Sequence, residues 1–228
     1  LTTMGEMAAA IAHEINQPLS AIATYTAACQ RLLDQGPDAR DDIIAALREI
    51  GGQAHRAGQI IQRMRNFTRS RETHRRLVAF DEMLEEIRRL AELDARANRV
   101  ELRIVIAPDL PLVNVDGVQI QQVILNLLRN GVDAMADIPE ADRLLSLQAT
   151  LTDDDELQVE ISDRGPGVTE RAREGLFTPF FTTKVTGMGM GLAISRSIIT
   201  AHGGKLDYMN NSDVGATFYF TLPAALEK

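Results

Sequence analysis

Two long apolar stripes at helical spacing constrain this chain most, because a single helical hairpin cannot bury both of them. The first stripe runs from Leu1 to Leu33, with apolar side chains three or four positions apart. Its members are Met4, Met7, Ile11, Ile15, Leu19, Ile22, Cys29, Leu32 and Leu33. The breaker Asp34-Gln-Gly36-Pro37 predicts the end of this helix. Because the pattern is already running at Leu1, we expect the polypeptide to continue upstream.

A second stripe follows this turn and is interrupted by Gly51, Gly52 and Gly58, which lower helix propensity without removing the pattern. Its members are Ile43, Ile44, Leu47, Ile50, Ala54, Ile61, Met64 and Phe67. Within one hairpin each helix has a single neighbour, so part of each stripe stays uncovered. Pairing with a second copy would complete a four-helix bundle. The sequence therefore predicts a homodimer built on residues 1–74.

After the charged stretch Arg69–Arg76 the spacing of apolar residues changes, and it then predicts a succession of short strands and helices. A strand is predicted at Leu77–Phe80, then a helix capped by Asp81, then a strand at Val100–Ile106. Further strands are predicted at 144–151, 157–162, 205–209 and 217–222, and a further helix at 191–201. These elements predict a second domain over residues 75–228.

Between these elements, Asp116 and Gln119 have the spacing of a capping box at the start of an apolar helix that ends near Met135. The predicted fold class is therefore α+β. An N-terminal two-helix hairpin forms a dimeric four-helix bundle, and an α/β sandwich follows it.

Charge and cysteine content narrow the function classes. The 228 residues carry a net charge of −8, so the basic footprint of a nucleic-acid-binding protein is absent. The single cysteine, Cys29, cannot form an intrachain disulfide, and the sequence has neither a signal peptide nor an apolar run of about 18 residues. We expect a cytoplasmic fragment without direct membrane contact, from a protein that is either soluble or anchored elsewhere.

His13 lies between the core-facing positions Ile11 and Ile15 of the first helix, and helical spacing therefore turns its imidazole toward solvent. Glu14 beside it is suited to hold one ring proton and orient the ring. Pro18 removes a helical hydrogen bond within a turn of the histidine. An exposed helical histidine is more often an ordinary surface residue, so the neighbouring residues carry the functional interpretation.

Polar residues suited to a nucleotide occur in the second half. Asn126 and Asn130 share one helix face, where amide oxygens can complete a Mg²⁺ shell, although such asparagines are commonly plain surface. Asp163 precedes Gly165 and Gly167, in a segment where a carboxylate could accept from an adenine amino group. A bare Asp-x-Gly-x-Gly is mostly turn chemistry.

A glycine-rich segment opens the helix at residue 191. Gly187, Gly189 and Gly191 would expose backbone amides to phosphates, which is weak evidence when the motif stands alone. The preceding run from Phe177 to Lys184 has aromatic anchors and a polar end, as suits a mobile lid. Lys184 is either a γ-phosphate contact or a solvated loop lysine.

The segment from His13 to Leu19, His-Glu-Ile-Asn-Gln-Pro-Leu, resembles the H box of sensor histidine kinases. The resemblance implies that His13 is the phosphoacceptor and that Glu14 is its acid/base partner. It also implies that Asn16 and Gln17 position a water for dephosphorylating a partner protein, although many members have Thr or Asn in place of Gln17.

The later segments resemble the N, G1, F and G2 boxes of the kinase ATP-binding domain, in the family's order, and residues 215–218 resemble its last glycine box. By this resemblance Asn126 and Asn130 hold Mg²⁺ and phosphates, and Asp163 binds adenine. The implied cofactors are ATP and Mg²⁺. The other implied nucleotide contacts are Asp133, Gly165, Gly167, Phe180, Thr182, Thr183, Lys184, Gly187, Gly189, Gly191, Leu192 and Thr217. Met188, Met190 and Gly131 depart from the usual residues without removing a ligand.

Within the family the motifs look most like the FixL group of oxygen-sensing kinases, although other sensor types share them. The resemblance implies ATP-dependent phosphorylation of His13, transfer to an aspartate of a response regulator receiver domain, possible phosphatase activity, and an upstream sensor domain. Two other classes stay open: an ATP-driven conformational clamp related to gyrase and Hsp90, and a regulator-docking module without turnover. The H box argues against the clamp, and the complete ligand set argues against the docking module.

Overall fold

A computed structural model describes the backbone of residues 2–34, 39–68, 74–182 and 189–225. Side chains within these ranges are described from residue 16 onward, except for residues 55, 56 and 59–68. The chain divides into two compact units, Leu1–Glu72 and Thr73–Lys228. Of the predicted breaker, Gln35–Pro37 lie outside the described residues.

The first unit is a pair of helices, α1 (Thr2–Leu33) and α2 (Arg40–Thr68), packed against each other. Both predicted helices are confirmed. Helix α2 continues through Gly51, Gly52 and Gly58, where an added Cβ would meet no described heavy atom within 4 Å. Pro18 lies inside α1 and is buried.

Large apolar side chains of this unit remain exposed within one chain. Leu19 is 49% exposed, Leu33 66%, Ile44 37% and Leu47 55%. Leu19 was expected to face the core, and in the single chain about half of it is solvent-exposed because α2 does not cover it. The hairpin therefore leaves uncovered the kind of surface that a four-helix bundle would bury.

The second unit is built on a five-stranded sheet with the order β2-β4-β5-β7-β6. Its strands are β2 (Glu101–Ile106), β4 (Leu144–Leu151), β5 (Glu156–Ser162), β6 (Leu206–Asn210) and β7 (Ala216–Pro223). Strand β2 pairs parallel with β4, and the other neighbours pair antiparallel. Each of these strands was predicted. A small second sheet joins β1 (Arg76–Val78) to β3 (Val113–Val115), and β3 was not predicted.

Helices α3 (Phe80–Ala97), α4 (Gly117–Ala134) and α6 (Gly191–Ala201) accompany the sheet, with a short α5 (Glu170–Arg173) and a 3-10 turn (Glu140–Asp142). The core lies between these helices and alternate sheet residues, such as Leu145, Leu147 and Ala149 of β4.

Two predictions at the start of α3 are wrong. Phe80 opens the helix instead of ending a strand, because its side chain is fully buried in the core. The N-cap is Ala79, not Asp81. Asp81 lies in the first turn, where its negative charge interacts favourably with the helix dipole.

The start of α4 is tied to the end of α6. Asp116 is the N-cap of α4, as predicted, and its Oδ1 accepts from the Gln119 N–H at 3.3 Å. The second half of the predicted capping box is wrong, because the Asp116 N–H donates to Nε2 of buried His202 at 3.1 Å. The ring hydrogen of His202 is therefore on Nδ1, which donates to Ile198 O at 2.8 Å.

Replacing Gly204, in the turn after α6, is expected to lower the stability of the second unit strongly. A Cβ there would lie 1.8 Å from Thr221 O, so Gly204→Ala forces β7 away from the turn. We expect a loss of about 2 kcal/mol in the free energy of unfolding of this unit. Native-state hydrogen exchange of the slowest β5 and β7 amides measures it.

Gly117→Ala is the matched control, because a Cβ there would meet Met83 Sδ at an ordinary 3.8 Å. We expect a change within about 0.5 kcal/mol for the control. If the slowest β5 and β7 amides were equally protected from hydrogen exchange in the two variants, the predicted crowding at Gly204 would be wrong.

Candidate functional site

A buried carboxylate, Asp163, follows the end of β5 and is 4% exposed. Its Oδ1 accepts from the Gly165 N–H at 2.8 Å, and the Ala216 N–H also donates to it at 3.4 Å. At Gly165 a Cβ would lie 2.9 Å from Ala134 O and 3.0 Å from Asp163 Oδ1. Glycine is needed there because any side chain would push the turn away from the carboxylate and from α4.

The backbone of Asp163 is held from behind by the loop between β6 and β7. Gly215 has φ +90°, and a Cβ there would lie 1.9 Å from Asp163 O. Asn211 Nδ2 donates to Asp163 O at 3.2 Å and to Val214 O at 3.0 Å. The loop therefore fixes the main chain that carries the carboxylate.

Thr217 completes this support. Its hydroxyl donates to Asn211 Oδ1 at 2.7 Å and lies 2.9 Å from Ser162 Oγ. Asn211 Nδ2 in turn donates to Ser162 Oγ at 3.2 Å. Three polar side chains on β5, β7 and the loop thus satisfy one another next to Asp163, so Thr217 acts here first as a support.

The exposed end of the loop carries opposite charges. Hydrogen bonds from the backbone N–H groups of Val214 and of Asp213 itself lower the pKa of the Asp213 carboxyl, and the nearby Arg164 guanidinium lowers that pKa further. Asp213 is therefore an ionised group with an exposed side chain, whereas the side chain of Asp163 is buried.

The predicted asparagines lie on α4, in the half-buried positions 126 and 130. Asn126 Nδ2 donates to Ser195 Oγ on α6 at 3.0 Å. Gly131, the departure from the family pattern, fits a crowded place, since a Cβ would lie 2.5 Å from Leu145 Cδ1 and 3.5 Å from Asp163 Cβ. Helix α4 thus runs between the buried carboxylate and the start of α6.

The glycine-rich segment is described on its two flanks. Gly189 has φ +63°, and its carbonyl accepts from the Phe180 N–H at 3.1 Å, while Phe180 itself has φ +68°. This hydrogen bond joins Phe180 of the predicted lid to Gly189 of the glycine-rich segment. Thr182 is exposed and half-buried Leu192 packs against the core, whereas Thr183, Lys184 and Gly187 lie outside the described residues.

Asp133 has an exposed side chain on α4. Its Oδ1 pairs with Arg129 Nε at 3.3 Å, and Arg129 also pairs with Asp94 of α3 at 2.7 Å. The carboxylate thus has a structural partner on the exposed side of α4, and its predicted nucleotide contact stays a prediction.

Gly167, the second glycine of the predicted base pocket, has φ +73°. A Cβ there would lie 3.1 Å from Asn210 Oδ1 and from Gly215 O. Asn210 exchanges two hydrogen bonds with Val168, at 2.8 and 2.9 Å. The turn after Asp163 is therefore fastened to the end of β6.

In the first unit, the H-box residues lie in α1. Asn16 and Gln17 have exposed side chains. His13 and Glu14 belong to the helix backbone, and their side chains are outside the described residues, so the solvent-facing imidazole stays a prediction.

The side chains of this site suit a cation that is held mainly by the phosphate oxygens of a bound molecule and less by the protein. Among the described residues, no group of three His, Cys, Asp or Glu side chains could hold a metal ion. Mg²⁺ usually takes few protein oxygens together with phosphate oxygens and waters. Asn126 Oδ1 fits this use, because it lies against the start of α6, where a Cβ at Gly191 would come within 2.5 Å of it.

Sequence reasoning missed Ser195, Asn211 and His202. Each is polar and acts through a partner distant in sequence: Asn126, Asp163 and Asp116 respectively. A weak signal existed for Ser195, a polar residue one helical turn after Gly191 and one turn before the apolar Ile198 and Ile199. Among the described helices, none combines the length and the apolar composition that a bilayer-spanning segment needs.

Comparison with known proteins agrees with the two units. Residues 3–73 match the family described as His Kinase A (phospho-acceptor) domain. Residues 115–226 match the family described as histidine kinase-, DNA gyrase B-, and HSP90-like ATPase.

Two relatives match over the whole chain. Sensor protein FixL of Bradyrhizobium diazoefficiens is 47% identical, and the match covers 45% of its length. The C4-dicarboxylate transport sensor protein DctS of Rhodobacter capsulatus is 40% identical, and the match covers 34% of its length. The chain thus spans less than half of these relatives.

Among solved structures, histidine kinase ThkA in complex with response regulator protein TrrA is similar over 99% of this chain and 63% of that chain. Its TM-score is 0.75 and its identity 25%. The separate catalytic domain of ThkA is similar over 66% of this chain and 96% of that domain, with a TM-score of 0.58 and 29% identity. The phospho-acceptor and ATPase matches, in this order and with this fold, mean that the chain belongs to the sensor histidine kinase family.

Proposed function

We propose that this chain is the transmitter core of a two-component kinase, which uses ATP with Mg²⁺ to phosphorylate its own His13. The observation that carries the proposal is the buried carboxylate of Asp163, fixed on three sides next to the asparagine face of α4. Burying an ionisable group is costly, and such groups are commonly retained for binding.

The base of the nucleotide is recognised by Asp163. Its carboxylate accepts from the exocyclic amino group of adenine, and Gly165 and Gly167 let the backbone turn close to the base. Gly189 and Gly191 let the chain approach the phosphates with exposed N–H groups at the start of α6. Thr182, Thr183, Lys184 and Gly187 belong to the segment that closes over them.

Asn126 and Asn130 present amide oxygens toward the phosphates and the cation. When bound, Mg²⁺ neutralises phosphate charge and orients the terminal phosphoryl group. The chain itself fixes the two amides on one helix face. It also has glycine at position 191, where a Cβ would crowd the Asn126 oxygen. Catalysis by this site is therefore mainly positioning.

His13 is the nucleophile. The unprotonated ring nitrogen of a neutral imidazole attacks the γ-phosphorus of ATP, the bond from that phosphorus to the bridging oxygen breaks, and ADP leaves. Glu14 holds the proton of the other ring nitrogen and orients the ring. Asn16 and Gln17, one turn further along α1, would position a water that hydrolyses the phosphoryl group of a phosphorylated partner and releases inorganic phosphate. Their exposed side chains support this role, because a partner protein must reach them.

The partner is the receiver domain of a response regulator, whose aspartate takes the phosphoryl group from His13. The similar ThkA structure, a complex with response regulator protein TrrA, supports this partner. The proposed sensor domain lies upstream of α1, and the greater length of the relatives, whose printed names call them sensor proteins, supports a further domain. We place this core in the cytoplasm, where ATP is available.

The first unit is proposed to work as a homodimer. Leu19, Ile44 and Leu47 are exposed on a helical hairpin whose family match is a phospho-acceptor domain. A second copy would bury them in a four-helix bundle.

Incubation with γ-labelled ATP tests the kinase proposal. Wild-type protein is expected to gain label that is lost in acid and kept in alkali, as phosphohistidine requires, and His13→Gln should gain none. ATP hydrolysis unchanged in His13→Gln, without labelling of the wild type, would instead identify an ATP-driven clamp. ATP binding without either reaction would identify a docking module.

Leu47→Glu tests the dimer. Leu47 is 55% exposed on α2, and Leu90 of the second unit is 57% exposed on α3, so Leu90→Glu is a matched control. A buried unpaired carboxylate should raise the dimer dissociation constant at least about tenfold in Leu47→Glu only. Sedimentation velocity measures it, and a Leu47→Glu dimer as stable as the control would contradict the proposed face.

A further inference from the structure

A hydrogen bond between α4 and α6 links a predicted cation ligand to a residue that has no assigned role. Asn126 Nδ2 donates to Ser195 Oγ at 3.0 Å. Ser195 is 2% exposed, whereas Ser197, two residues further along α6, is exposed. A buried hydroxyl on this face of the helix therefore has a specific partner in the site.

The two ends of an asparagine amide differ in chemistry, since the oxygen can only accept and the nitrogen can only donate. A serine hydroxyl can donate or accept, and in this structure the Ser195 oxygen accepts from the nitrogen end of Asn126. The oxygen end is then turned away from Ser195.

The direction of that oxygen is known from Gly191. A Cβ at Gly191 would lie 2.5 Å from Asn126 Oδ1, so the oxygen lies at the first residue of α6. The first N–H groups of a helix have no partner within it and attract anions. The oxygen therefore lies where the proposed phosphates and their cation would be held.

We propose that Ser195 is a positioning residue that fixes the amide of Asn126 with its oxygen, and not its NH₂ group, toward the Mg²⁺ of bound ATP. This inference rests on the proposed function. Without the hydroxyl, the amide is free to rotate by 180°, and in that orientation it presents hydrogens to a cation.

The test compares Ser195→Thr with Ser195→Val, which have nearly the same shape and differ in the hydroxyl. The probe is a non-hydrolysable ATP analogue, with its Kd measured by calorimetry in Mg²⁺ and again in excess EDTA. Ser195→Thr should keep the wild-type gain in affinity from Mg²⁺. Ser195→Val should reduce that gain roughly fivefold while leaving the Kd in EDTA unchanged.

Two further variants separate orientation from packing. Ser197→Ala removes an exposed hydroxyl from the same helix and should leave both Kd values unchanged. In an Asn126→Asp background both ends of the side chain are oxygens, so Ser195→Val should no longer reduce the Mg²⁺ gain. A reduction of the same size in that background would mean that Ser195 acts through packing and would overturn the proposal.

The remaining outcomes distinguish this inference from the proposed function. No binding of the analogue by wild-type protein would contradict both. Mg²⁺-dependent binding by wild type, with equal gains in Ser195→Thr and Ser195→Val, would leave the kinase proposal intact and overturn the role of Ser195.

Discussion

The arrangement of the site in the second unit depends on the buried carboxylate of Asp163 at the end of β5. The carboxylate accepts a hydrogen bond from the Gly165 N–H in the following turn. The loop that contains Asn211 and Gly215 packs against the backbone carbonyl of Asp163. At Gly165 and Gly215 a Cβ would collide with backbone oxygen. The glycines of the motifs thus have a steric reason for being where they are.

The rest of the site is arranged around this anchor by α4. The helix is held against the sheet, where Gly131 is next to Leu145, and against α6, where Asn126 meets Ser195. His202 ties the start of α4 to the end of α6 through the Asp116 N–H. Asp163, Asn126 and the start of α6 thus belong to one connected set of contacts.

The sequence predicted the helices and most strands because long apolar periods and glycine-bounded runs are local signals. It did not predict β3, whose three residues gain their pairing from β1 far away in sequence. Its errors at Phe80 and Asp81 arose because burial in the core decided where α3 begins. Motif residues such as Asp163 were found because their segments, taken together, resemble those of a known family. Ser195 and Asn211 were not found, because their partners are set only by tertiary contacts.

The affinity of ATP relative to purine riboside triphosphate, which lacks the exocyclic amino group, tests the central role of Asp163 most directly. If the buried carboxylate accepts from that group, the analogue leaves it without this partner. It should then bind at least about tenfold more weakly than ATP. Equal affinities for the two nucleotides would contradict the account and would mean that the Asp163 carboxylate only supports the fold.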